Sequence, residues 1–353
     1  PRWGTNRLDH EWSPPMPPGT QTQREAGAVG WRDEADLAKA LLAAIPSVGA
    51  SALRSRWVVT SATRWEDIGG YDTAKLALQK AVEWPRQRKA AYDRLQLQPP
   101  RGALLYGPPG CSKTMLVKAL ARSSGASFLS VSAADVFSPF VGDAEAAIRK
   151  AFRLARSCSP SILFFDEIDA VVMNRGSGDR SGGGSVESRV LATFLNEMDG
   201  ISATCSDGVT VMAATNRPAE VDSALLRPGR FELSIYIGPP DVAARRAILS
   251  LHVHSMPTSH DVSVERLVEQ TKHFTGAEIA NLCREAAMLC FHDHLRSGDS
   301  AFVNVQVGPQ HFDEAIRASR PLLGDPEVRS SYSERAMWGR SGHAEEGKRT
   351  GAG

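Results

Sequence analysis

The sequence predicts an α/β fold, a doubly wound parallel five-stranded sheet followed by a small all-helical lid. Three observations carry this prediction. Short apolar runs near residues 103–106, 127–132, 161–166, 209–215 and 233–237 alternate with helical stretches, as in a parallel sheet covered by helices on both faces. The run Ile162-Leu163-Phe164-Phe165 lacks polar alternation, which suits a central strand buried on both sides. From Pro239 onward the apolar spacing at Leu267, Val268, Phe274, Ile279, Leu282, Ala286 and Leu289 is helical only.

The elements divide the chain in order. Residues 1–30 are rich in Pro and Gly and read as a disordered segment. Residues 31–63 open with an amphipathic helix pattern, Asp33 to Leu42, and continue as a linker. A large α/β domain is expected over 64–238, the lid over 239–322, and a polar, disordered tail over 323–353.

The most informative element is Gly107-Pro108-Pro109-Gly110-Cys111-Ser112-Lys113-Thr114, set between the first strand run and the helical pattern that begins at Met115. A strand that turns into a helix through small residues leaves backbone N–H groups pointing into one concavity, and the helix N-terminus adds positive dipole. A triphosphate fits there, so the segment reads as a P-loop. Lys113 would reach the β and γ phosphates, and the Thr114 hydroxyl would hold Mg2+. The strict pattern has Gly immediately before the Lys, whereas this chain has Ser112.

The partners of the loop follow along the chain. Asp166 and Glu167 end the third strand run, where open α/β sheets bind ligands. Asp166 is placed to reach Mg2+ through water, and Glu167 to orient and polarise an attacking water. Asn216 ends the fourth run and could hold that water or the γ phosphate. Arg227 and Arg230 flank a Pro-Gly turn, and arginines fixed on a turn suit charge stabilisation in a neighbour's site; two surface ion-pair formers are the alternative.

In order as well as in kind, these motifs resemble the AAA ATPases, specifically the branch that contains valosin-containing protein. The resemblance runs from Arg64-Trp65-Glu66-Asp67-Ile68-Gly69-Gly70 to about Arg320. It implies that Asp67 and Gly69 line the adenine pocket, beside the loop residues Pro109, Gly110, Cys111, Ser112 and Met115. It also implies that Gly276 and Ala277, in Thr275-Gly276-Ala277-Glu278-Ile279, back the nucleotide from the lid, and that His252 lies on the base side. A plain helix-face histidine is the alternative for His252. Phe140-Val141-Gly142 falls where family members place a central-pore loop that grips polypeptide, with a core phenylalanine as the alternative. The glycine-serine run over 176–185 matches a second pore-facing loop or a plain linker. Leu195 to Gly200 resembles the segment through which neighbouring subunits sense each other's nucleotide.

The loop variant and Phe137-Ser138-Pro139-Phe140-Val141-Gly142-Asp143 are closer to the spermatogenesis-associated protein 5-like members, in particular to the second of their two ATPase modules. The segment from Ile45 to Arg54 resembles the tail of a first module's lid and an inter-module linker, so a partial chain or a shortened gene product is expected. The resemblance implies ATP and Mg2+ as cofactors, a homo- or hetero-hexamer with AAA subunits, and protein or pre-ribosomal substrates. It implies a cytoplasmic location, with the nucleus as the alternative.

Composition narrows the classes. With 353 residues, 42% of them hydrophobic, the chain can bury a substantial core, and 41 basic against 40 acidic residues give no bulk field for nucleic acid. The five cysteines show no metal-ligand spacing, which fits a reducing compartment. No apolar run is long enough to span a bilayer. An ATP-driven remodeller is therefore the leading expectation. A weakly hydrolysing nucleotide-binding scaffold or truncated regulatory isoform stands second, and a nucleic-acid motor third.

Overall fold

The computed structural model describes residues 61–136, 143–172, 186–203, 208–296 and 305–333, all within a unit spanning Ala50–Gly353. The expected pore tip Phe140-Val141-Gly142, the run 176–185 and the segments upstream of residue 61 lie outside the described residues.

Five strands, β1 (Gly102–Tyr106), β2 (Ser127–Ser132), β3 (Ser161–Asp166), β4 (Val209–Thr215) and β5 (Phe231–Tyr236), form one parallel sheet in the order β2-β3-β4-β1-β5. The five expected runs are therefore all strands. Side-chain alternation explains why the interior of β3, Ile162 to Phe165, carries no polar position. Leu163 and Phe165 of β3 enter one core with Leu104, Leu129, Val211 and Ala213. Ile162 and Phe164 enter a second core on the opposite face, with Ala103, Leu105, Phe128, Met212 and Ala214.

Helices α1 (Asp72–Gln87) and α3 (Lys113–Ser124) cover the second face, and α2 (Lys89–Arg94) follows α1. The first face is covered by α5 (Asp143–Ser157) and α7 (Val186–Ala203), while α4 (Ala133–Val136) and α6 (Ile168–Val171) are single turns after β2 and β3. Phe152, Phe165 and Phe194 meet there edge-on or tilted, with ring centroids 4.9 to 5.9 Å apart. Arg86, near the end of α1, donates to the Ser124 carbonyl, and Arg88, just after the helix, sits over the Trp84 ring. Both serve local packing, as a solvated helix end would.

The lid comprises α8 (Val242–His254), α9 (Val264–Gln270), α10 (Gly276–Arg296) and α11 (Pro309–Ala318) around its own core, which includes Leu249, Leu267, Phe274, Ile279, Leu282 and Phe312. A reciprocal cap starts α10: Glu278 Oε2 accepts from the Thr275 N–H at 2.7 Å, and Thr275 Oγ1 accepts from the Glu278 N–H at 3.4 Å. One expectation is corrected. The disordered tail placed from residue 323 does not hold for residues 323–331, because Leu323 is buried and Pro326–Ser331 form a short helix, α12, capped by the Asp325 side chain. The Tyr236 hydroxyl also donates to the Tyr332 carbonyl, tying this end to the sheet.

Candidate active site

The loop between β1 and α3 is a strained backbone held by its neighbours. Gly107 has φ 152° and Gly110 φ 76°, and a Cβ on Gly107 would stand 2.0 Å from the Ile237 carbonyl oxygen. Only glycine fits there. Ser112, at the position of the pattern's missing glycine, takes φ 60° and ψ 21°, so it keeps the left-handed conformation that glycine would supply. It immediately precedes the first residue of α3.

Lys113 is buried, and its Nζ donates to the carbonyls of Gly107 and Pro108 at 2.9 and 2.8 Å and to Asn216 Oδ1 at 2.7 Å. Burial lowers its pKa, opposed by the nearby Cys111, Asp166 and Asp169. Thr114 Oγ1 donates to Asp166 Oδ2 at 2.8 Å, which brings two hard oxygen donors together at the helix N-terminus. Glu167 is exposed and has φ 53°, a left-handed conformation uncommon for a side chain of its kind. Such strain concentrates at sites where a side chain must be aimed.

These groups share one cleft of about 470 Å³. Its phosphate end is lined by the loop from Pro109 to Met115 together with Asp166, Glu167 and Asn216. Its other end is lined by Asp67, Gly69, His252, Gly276 and Ala277, so each residue expected at the nucleotide reaches the same cavity. Lid and loop are in direct contact there: the Ala277 N–H donates to the Gly110 carbonyl at 3.0 Å. Gly69 abuts α8 so closely that a Cβ would fall 2.6 Å from the Ile248 nitrogen.

Residues 103–239 match the family described as "ATPase family associated with various cellular activities (AAA)", and residues 261–303 match the "AAA+ lid domain". The chain belongs to the AAA ATPase family. It is 44% identical over 296 residues to "ATPase family gene 2 protein homolog A" of Homo sapiens, covering 84% of this chain and 32% of that protein. It is 43% identical over 294 residues to "Cell division control protein 48 homolog B" of Arabidopsis thaliana, covering 83% and 47%. It is 41% identical over 291 residues to "Cell division cycle protein 48 homolog" of Archaeoglobus fulgidus, covering 81% and 39%. The chain thus spans about a third to a half of the length of these relatives.

Within this AAA module the two expected arginines differ. Neither lines the cleft of its own chain. Arg230 is mostly buried and makes a two-pronged contact with Asp199, Nε to Oδ1 at 2.9 Å and Nη2 to Oδ2 at 2.7 Å, while its Nη1 donates to the Ala224 carbonyl at 2.7 Å. The guanidinium holds the Asp199 carboxyl below its usual range, and in turn Asp199 raises Arg230. Arg227 is exposed. Asp199 belongs to the segment expected to sense a neighbour's nucleotide, so the structure links that segment to one arginine of the pair.

Cys111 is buried in the second core, and burial pushes its thiol up to about 11, which makes it a packed, protonated thiol. His252 is half-buried at the cleft, and burial lowers its pKa. Sequence reasoning missed four residues of the base end, Ile248, Leu251, Ala280 and Ile68. Ile248, Leu251 and Ala280 carry only the apolar spacing of α8 and α10, which ordinary core positions share, whereas Ile68 lies inside the segment Asp67-Ile68-Gly69-Gly70, of which only Asp67 and Gly69 were singled out.

Proposed function

We propose that this AAA module binds and hydrolyses ATP with Mg2+ and, as a ring of AAA subunits, remodels or disassembles proteins or ribonucleoprotein particles, with pre-ribosomal particles as a substrate class. The observation that carries the enzymatic part is the convergence of Lys113, Thr114, Asp166, Glu167 and Asn216 from the ends of β1, β3 and β4 in a cleft closed by the lid.

The residues fit the group they would hold. Backbone N–H groups of the loop and the start of α3 favour a polyphosphate, and Lys113 supplies the cation. Thr114 and Asp166 offer the oxygen ligands that Mg2+ prefers, either directly or through water. When bound, Mg2+ neutralises charge on the phosphate oxygens. Glu167 would take a proton from the attacking water, and Asn216 would orient that water or the terminal phosphate. The apolar side chains of Ile248, Leu251 and Ala280 exclude water from the base.

The left-handed Ser112 supports hydrolysis over a nucleotide-binding scaffold, since the loop keeps its shape without the usual glycine. The arginines outside their own cleft support a ring in which Arg227 and Arg230 serve a neighbour's site. The test is ATP turnover of the chain with and without an unfolded protein. Turnover that the unfolded protein stimulates is expected. ATP binding without turnover would favour the scaffold, and salt-sensitive DNA binding would favour a nucleic-acid motor.

A further inference from the structure

After the last lid helix, α11, the chain turns back toward the sheet. It runs through Pro321, a short helical turn at Leu322–Gly324 and α12 to Tyr332, with Leu323 buried beneath it. Three contacts fix this return. At its start the Leu322 N–H donates to Glu278 Oε1 at 2.7 Å. In its middle Arg329 Nη1 lies 3.0 Å from Nε2 of His273, in the turn before α10. At its end the Tyr332 carbonyl accepts from the Tyr236 hydroxyl at 2.8 Å, and Tyr236 is the last residue of β5. The segment is therefore anchored on the lid at one end and on the sheet at the other.

Glu278 is where the returning segment meets the cleft. A carboxylate accepts through both oxygens. While Oε1 holds Leu322, Oε2 accepts from the Thr275 N–H at 2.7 Å. Between Thr275 and Glu278 stand Gly276 and Ala277, which line the cleft, and the Ala277 N–H is bonded to the Gly110 carbonyl of the phosphate loop at 3.0 Å. One side chain thus holds the turn that touches the loop and the segment that returns to the sheet. The far anchor is also close to the site: the Tyr236 ring lies 5.5 Å from the ring of Tyr106, the residue before Gly107.

We propose that Glu278 is a positioning residue and that residues 321–332 form a strap which, held between Glu278 and Tyr236, keeps the cleft-lining turn of the lid against the bound nucleotide and slows its release. This rests on the reading that the cleft binds ATP. The connector 237–241 joins the end of β5 to α8 and is the covalent link between sheet and lid. A domain joined at one point can swing as a hinge. The strap ties the other end of the lid back to Tyr236, the same strand end from which the connector leaves, so the lid swings away only when one of the strap's anchors breaks. Loss of either anchor frees it.

The experiment measures, on the full chain, the release rate of a fluorescent ADP analogue, melting without nucleotide, and hydrogen exchange across the strap. Leu322→Pro deletes the N–H that Glu278 accepts; the position opens a helical turn after Pro321 at φ −67° and ψ 135°, where proline fits. Tyr236→Phe deletes the hydroxyl at the other anchor and keeps the ring on Tyr106. Each should speed release about 3- to 10-fold, the scale of one hydrogen bond, and raise exchange across the strap. Association and melting should change little. Leu322→Ala, which keeps the N–H, should release as the wild type does, and Glu278→Ala at least as fast as Leu322→Pro. The double variant of Leu322→Pro and Tyr236→Phe should release no faster than the faster single one, because one break already frees the strap. Wild-type release in both single variants overturns the proposal. So do effects that multiply in the double variant, because independent groups add their free energies. If the wild-type chain does not bind the analogue, the nucleotide reading fails first and takes the proposal with it.

Discussion

The sheet side and the lid side of the cleft are built on different physics. The sheet side gathers left-handed backbone at Gly110, Ser112 and Glu167 with the charged groups Lys113 and Asp166. The lid side offers Ile248, Leu251, Gly276, Ala277 and Ala280, with His252 its one titratable group among the described residues. Phosphate chemistry needs particular atoms at particular points, so it tolerates few residue types. A purine needs a flat, dry slot, which many apolar residues can line. The first wall is therefore sensitive to single atoms and the second to packing, and substitutions should separate the two.

The largest expected effect lies outside both walls. Arg227→Ala and Arg230→Ala should each cost on the order of 10³ to 10⁵ in turnover if the arginines act in trans. Mixing Arg230→Ala with Glu167→Gln subunits should then restore some activity, measured where mixed rings are shown to form; no rescue would confine the arginines to an intrachain role. Melting distinguishes the pair, because among the described residues Arg230 alone of the two leaves partners of its side chain behind, Asp199 and the Ala224 carbonyl. Arg230→Ala should lower the melting temperature slightly, as expected for a half-exposed ion pair, and Arg227→Ala should leave it unchanged.

On the sheet side, Lys113→Ala should abolish ATP binding, while Glu167→Gln should bind ATP and lose roughly 10² to 10⁴ in hydrolysis. Because Glu167 is exposed, its melting temperature should stay at the wild-type value. On the lid side the pattern should reverse. Leu282→Ala removes a fully buried side chain from the lid core and should cost about 2 to 5 kcal/mol in stability. ATP affinity should fall with it, since the wall carrying Gly276 and Ala277 is on the same helix. Unchanged melting for Leu282→Ala would remove the contrast between the walls.

The same contrast explains what could be read from the chain. The five strands were legible because strand burial on two faces leaves unbroken apolar runs, and the phosphate end because Gly107 to Thr114, Asp166, Glu167 and Asn216 keep a fixed order. Ile248, Leu251 and Ala280 were not legible, since an apolar residue facing a slot and one facing a core have the same periodicity. The left-handed backbone of Tyr71, φ 62° at the residue before α1, was hidden for another reason: nothing in its neighbours announces it. The polar stretch from 323 misled because a short capped helix needs only Asp325, Pro326 and one buried leucine, too little apolar content to stand out.

The smallest expected effect bears on the most conspicuous irregularity of the loop. Ser112 holds a left-handed conformation that costs a residue with a Cβ roughly 1–2 kcal/mol. Ser112→Gly would remove that cost and restore the strict pattern, but the glycine loses more backbone freedom on folding, about 0.5–1 kcal/mol. The two nearly cancel, so the melting temperature should rise by no more than about 2–4 °C. The hydroxyl has a second role to weigh, since Ser112 Oγ would lie 3.5 Å from a Cβ at Gly276 and so fills space where the loop meets the lid. If Ser112→Gly melts higher and binds ATP as the wild type does, the serine is a tolerated strain on the sheet side alone. If it melts higher yet binds ATP more weakly, the serine belongs to the junction, and the two walls are less independent than their construction suggests.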